Sequence, residues 1–112
     1  MDNYKKAHNA YYAAYKGINV KKNEKIVLEC RTCWSYYFAL DIPKADIKAH
    51  EQIILELKDS EYCYRFAKNI PGANIEEHFR VVFNSGDKDW LDWFIKQVNY
   101  KGTKVEEWIM YI

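Results

Sequence analysis

Residues 61–78 read EYCYRFAKNIPGANIEEH, and residues 33–50 read CWSYYFALDIPKADIKAH. They are copies of one phrase, 28 residues apart. Phe38, Phe66 and Phe94 mark the period. Trp34, Tyr62 and Trp90 stand four residues before them, and Ile42, Ile70 and Val98 four residues after. A spacing of four puts these side chains on one stripe of a helix. Ser35, Cys63 and Leu91 flank the stripe, with Ala39, Ala67 and Ile95, so each copy opens with a short helix buried along one side. Pro43 and Pro71 disfavour helix at the residue before them and end this first helix. Asp46 and Asn74 then read as N-caps of a second helix. Asn74 and Thr103 each precede a glutamate by three residues, Glu77 and Glu106, which is capping-box spacing. The second helix is expected to bury Ile47, Ile53, Ile54 and Leu57 in one copy, and Ile75, Phe79, Val81 and Val82 in the next. Gly86 suits the left-handed residue that closes a helix. Asp59 and Asp87 suit the N-caps of the helices that follow.

The flanks carry degenerate copies. Residues 87–112 fit with two extra residues in the loop, so that Val105 matches Ile75. At the other end NVKKNEKIVLEC matches a second helix, and Tyr4, His8, Tyr11, Tyr12 and Tyr15 before it form a helical stripe. No segment alternates as a strand should, and there is no Asn-Gly or Asp-Gly hairpin signal. The reading is one all-α, solenoid-like domain over residues 1–112: a polar cap (1–30) and three repeats (31–58, 59–86 and 87–112). A helix pair of this length cannot bury its own stripe, so repeats stack and terminal units become caps. The last repeat ends EEWIMYI, apolar to its final residue. Trp108, Ile109 and Ile112 are therefore expected to form an oligomer contact, such as a homodimer.

The totals narrow the function classes. With 17 Lys/Arg against 16 Asp/Glu in 112 residues, the chain is neither an overall DNA mimic nor an obvious DNA binder. Residues 1–33 nevertheless carry seven Lys/Arg against three Asp/Glu. Lys5, Lys6, Lys16, Lys21, Lys22, Lys25 and Arg31 are the candidate phosphate contacts of a nucleic-acid reading, beside the blander one of a solvated face. The polar start shows no secretory signal, and no stretch has the length to span a bilayer, so a cytoplasmic, membrane-free protein is expected. Three cysteines do not suggest a disulfide framework. Cys30 and Cys33 have CxxC spacing, but Cys30 aligns with Leu57 and Cys63 with Leu91. They read as small hydrophobes rather than ligands, and neither a metal nor a cofactor is expected.

No nucleophile elbow, phosphate loop or acid–base pair stands out, so an enzyme is not expected. His50 and His78 share one register with Asn23 and Trp108. Each reads either as a half-buried imidazole bonded to a loop carbonyl, or as part of a shared metal or pH-sensitive contact. The aromatic residues give the main functional signal. If positions 34, 35, 38, 39 and 42 are buried, then 36 and 37 point away. Tyr36, Tyr37, Tyr64, Arg65 and Trp93 would form an exposed row of the residue types enriched in binding hot spots.

The phrase YRFAKNIPGANIEE, followed by an apolar helix and SGD, resembles short tandem helical repeats of uncharacterised bacteriophage and Gram-positive bacterial proteins. The likeness is clear over 59–86, good over 31–58 and weak elsewhere. The consensus at positions 50 and 78 is aliphatic, where this chain has His. The resemblance implies a phage or mobile-element source and binding rather than catalysis. In its sharpest form it implies an anti-CRISPR-type inhibitor that covers a functional surface of a host defence protein such as a CRISPR effector.

Overall fold

A computed structural model of the chain describes residues 2–98. Among them lie seven helices and no strand: α1 (Asn3–Tyr15), α2 (Val20–Cys30), α3 (Trp34–Asp41), α4 (Ile47–Leu57), α5 (Ser60–Asn69), α6 (Ile75–Ser85) and α7 (Lys88–Gln97). Thr103, Trp108, Ile109 and Ile112 lie outside the described residues, as does any second helix of the last repeat.

The punctuation follows local chemistry. Ile42 and Ile70, each before a proline, leave the helix for extended backbone. Asp46, Asp59, Asn74 and Asp87 each accept a hydrogen bond from the amide three residues on, at 3.2–3.3 Å. The helix ends at Arg31, Lys58 and Gly86 share one register and one left-handed conformation. Only the third is glycine, so the first two adopt a backbone that L-residues ordinarily avoid by about 1–2 kcal/mol.

Within each pair, α1 packs on α2, α3 on α4 and α5 on α6. Between pairs, α1 touches α3, α3 touches α5 and α5 touches α7, while α2 touches α4 and α4 touches α6. The body measures 46 × 28 × 17 Å. Its core has two parts. Ala10, Ala14, Val27, Phe38 and Ile42 form the smaller one. Tyr36, Ile54, Cys63, Tyr64, Phe66, Phe79, Val82, Phe94 and Val98 belong to the larger one. The stripe positions expected from the period are buried or half-buried throughout. Leu57 departs from expectation: it is exposed, because it is the last residue of α4 and the chain turns away at Lys58.

Candidate functional site

The odd-numbered helices share an aromatic face. Trp34, the first residue of α3, is the hub: the rings of Tyr4, His8 and Tyr11 of α1 lie 5.7, 4.7 and 5.1 Å from it. Tyr37 lies 5.0 Å away on the other side, and Tyr62 of α5 continues the series 6.0 Å from Tyr37. Hydrogen bonds hold the series in place. Tyr11 Oη donates to Asp41 Oδ2 at 2.6 Å, and the Tyr37 and Tyr62 hydroxyls meet at 3.3 Å. Burial, reinforced by those same partners, holds both the Tyr11 and Tyr62 phenols above their usual range. Tyr4, Tyr12 and Tyr15 remain more than half exposed on α1, since that helix buries Ala7, Ala10 and Ala14 instead.

The expected row of Tyr36, Tyr37, Tyr64, Arg65 and Trp93 is only partly a surface. Trp93 is 52% exposed, and Tyr37 and Arg65 are half-buried, Arg65 Nε donating to Glu61 Oε2 at 2.8 Å. Tyr36 and Tyr64 are buried, at 2% and 9% exposure. Helices α1, α3 and α5 each pack on two sides, against their own partner and against the next odd helix. A single buried arc therefore underestimates what is covered. Tyr36 fills the space against Tyr62 and Phe66, and its hydroxyl accepts from Asn69 Nδ2 at 2.9 Å. Tyr64 does the same against Trp90 and Phe94. Both are wedges between pairs.

The even-numbered helices are joined by a repeated polar seam. His50 Nε2 donates to Glu24 Oε2 at 2.9 Å, and the same oxygen accepts from the backbone N–H of Asp46 at 2.8 Å. One pair further on, His78 Nε2 donates to Glu51 Oε2 at 2.9 Å, and Asn74 N–H donates there at 2.6 Å. Both imidazoles are fully buried, stacked on the first helix of their own pair: His50 on Phe38 and His78 on Phe66, at 4.9 and 5.1 Å. They are thus more deeply buried than the sequence suggested, and they bond a carboxylate of the preceding pair rather than a loop carbonyl. The seam also changes the capping geometry. The N-cap amide that a capping box would give to its own third residue is taken across the seam, and Glu77 pairs with Arg80.

Glu24 and Glu51 were not singled out in the sequence, although one signal was available. Glu51 stands 28 residues before Phe79, so a carboxylate occupies a buried register. A carboxylate there needs donors.

Elsewhere the chemistry is quiet. Cys30, Cys33 and Cys63 are free. Burial pushes the Cys63 thiol up to about 12, with Asp59 and Glu51 adding to it, and raises Cys33 as well. Both thiols are therefore neutral near pH 7, the unreactive form. Among the described residues no three His, Cys, Asp or Glu side chains are grouped to hold a metal ion, and no helix is long and apolar enough to cross a membrane. Lys5, Lys6, Lys16, Lys21, Lys22 and Lys25 are exposed, and none is in an ion pair with a described residue; Arg31 pairs with Glu56. Open grooves of about 430 and 590 Å³ run between α2 and α4 and between α4 and α6. In comparisons with known proteins, no family model, curated protein or solved structure matches this chain.

Proposed function

We propose that this chain is a non-enzymatic module that grips a protein partner through the aromatic face of α1, α3 and α5. The observation that carries the reading is the ring series from α1 through Trp34 and Tyr37 to Tyr62, fixed by mutual contact and by phenol hydrogen bonds. Rings already held in place lose little entropy on binding, and Tyr, Trp and Arg dominate interface hot spots. Tyr12, Tyr15, Arg65 and Trp93 extend the surface. The solenoid-like stacking of helix pairs belongs to this reading; support for it comes from the recurrence of the His–Glu seam and of the Tyr36 and Tyr64 wedges at one period. The test is affinity capture from host lysate, after nuclease treatment, with the wild-type chain and with a Tyr12→Ser/Tyr15→Ser/Trp93→Ser variant of equal melting temperature. A stoichiometric protein held by the wild type and lost by the variant supports the reading. Equal capture by both removes the aromatic face from it.

The narrower form is a phage-encoded, anti-CRISPR-like inhibitor acting in the host cytoplasm by covering a functional surface of a defence complex. It rests on the resemblance of residues 59–86. Unchanged interference across several defence systems in cells expressing the chain discards it. A second reading, nucleic-acid binding, is favoured by the six exposed lysines of α1, α2 and the turn between them, none in an ion pair with a described residue. It predicts a mobility shift with steep loss of affinity in salt. Flat salt dependence excludes it.

A further inference from the structure

The two His–Glu seams have a property that does not depend on which partner the aromatic face takes. A carboxylate only accepts, so Nε2 of each imidazole carries the hydrogen and Nδ1 is a bare lone pair. Nδ1 of His50 and of His78 is buried, with no hydrogen-bond partner among the described residues. The neutral ring pairs its one donor and leaves one acceptor without a partner. A protonated ring would acquire an N–H at Nδ1 with nothing to receive it, in a site that water does not reach.

We propose that these two seams form an acid-sensitive coupling between successive helix pairs, closed while both imidazoles are neutral and released by proton uptake.

The groups around each ring compete. Facing His50 are Glu24 of α2, Asp46 at its own helix start and the face of Phe38. Facing His78 are Glu51 of α4, Glu77 of its own helix and the face of Phe66. Glu51 also acts on the neutral Cys63 thiol of α5. The carboxylates favour the cation, and so does a ring face beneath it. Burial opposes it and prevails at both histidines, lowering their proton affinity. The orphan Nδ1 gives a geometric reason for that outcome. An imidazole whose proton affinity is lower in the folded chain takes up its proton on unfolding. The stability it contributes is complete above the unfolded value near pH 6.5 and is lost as pH falls from there toward the folded value. Release acts first on the N-cap amides of Asp46 and Asn74, which share the same carboxylate oxygens. Glu51 and Asn74 line the open groove between α4 and α6, so solvent reaches the edge of the second seam.

The experiment uses the intact wild-type chain. Imidazole nitrogen resonances and amide exchange are followed by NMR from pH 8 to pH 4.5. The expected result is that His50 and His78 hold the Nε2–H neutral form below pH 6.5, and that their protonation coincides with loss of exchange protection at Asp46 and Asn74. Urea unfolding provides the second readout. Below pH 6.5 the unfolding constant should rise toward tenfold per pH unit for each histidine, or about 100-fold for the two together. His50→Gln and His78→Gln should each remove one proton from that dependence. Protonation of either ring at or above pH 6.5, or protonation with both amides still protected, overturns the proposal: the pairs are then ion pairs that tighten in acid.

Discussion

Helix α1 buries three alanines and leaves Tyr4, Tyr12 and Tyr15 outside, whereas α5 buries Cys63, Tyr64, Phe66 and Ala67 and leaves Lys68 and Asn69 outside. Both helices are the first of their pairs. In α5 the large side chains go inward, where each contributes about 1.5–3 kcal/mol of burial and wedges the next pair into place. In α1 the small side chains go inward, so the helices approach closely and the rings remain at the surface. The difference separates a helix that packs its large side chains inward from one that leaves them at the surface.

Substitutions can break or sharpen that contrast. The largest effect is expected at Phe66, wholly buried beneath His78: Phe66→Ala should lower unfolding free energy by about 3–5 kcal/mol, read from denaturant titration. A loss under 1 kcal/mol would show that the central core is not the stabilising one. Next come the seams. Glu51→Ala strands the buried His78 Nε2–H and the partly buried Asn74 amide and should destabilise by about 2–4 kcal/mol; Glu24→Ala should do less, because that carboxylate is the more exposed of the two, at 16% against 11%. Equal losses would make the two seams equivalent despite their different burial.

Ala10→Leu tests the close approach of α1. Overpacking there should reduce stability by about 1–3 kcal/mol, and a neutral result would mean that the alanines are not needed at contact distance. The smallest effect is expected outside. Tyr12→Ser and Tyr15→Ser should each shift the unfolding midpoint by no more than about 0.5 kcal/mol equivalent. Their cost should appear in partner capture instead.

The alternation of helix and turn was legible because it rests on local chemistry: the prolines, the Asp and Asn caps and the phenylalanine period all act within a few residues. The buried stripe was legible for the same reason. The second buried side of the odd helices was not, because it depends on the neighbouring pair. Tyr36 and Tyr64 therefore looked like surface when they are wedges. His50 and His78 could be matched to each other by register, but their partners lie 26 and 27 residues away in sequence, and nothing in a helical pattern names a carboxylate at that distance. Of the proposed surface, the α1 stripe was readable as a stripe; that it faces outward followed only once Ala7, Ala10 and Ala14 were seen to be the packed side.

Among the described residues the seam does not extend to every pair. At the histidine register of the first pair stands Asn23, whose side chain bonds Ile18 O of its own loop at 2.9 Å and asks nothing of a preceding pair. At the glutamate register of the third pair stands Phe79, whose side chain carries no carboxylate. A pair that has both His50 and Glu51 can receive on one side and give on the other. Only the α3–α4 pair among the described residues does so. Copying its 28-residue segment in tandem would place a fresh histidine against an existing glutamate and leave both ends as they are. At the seam, that insertion would repeat a histidine–carboxylate contact the chain already makes between His78 and Glu51.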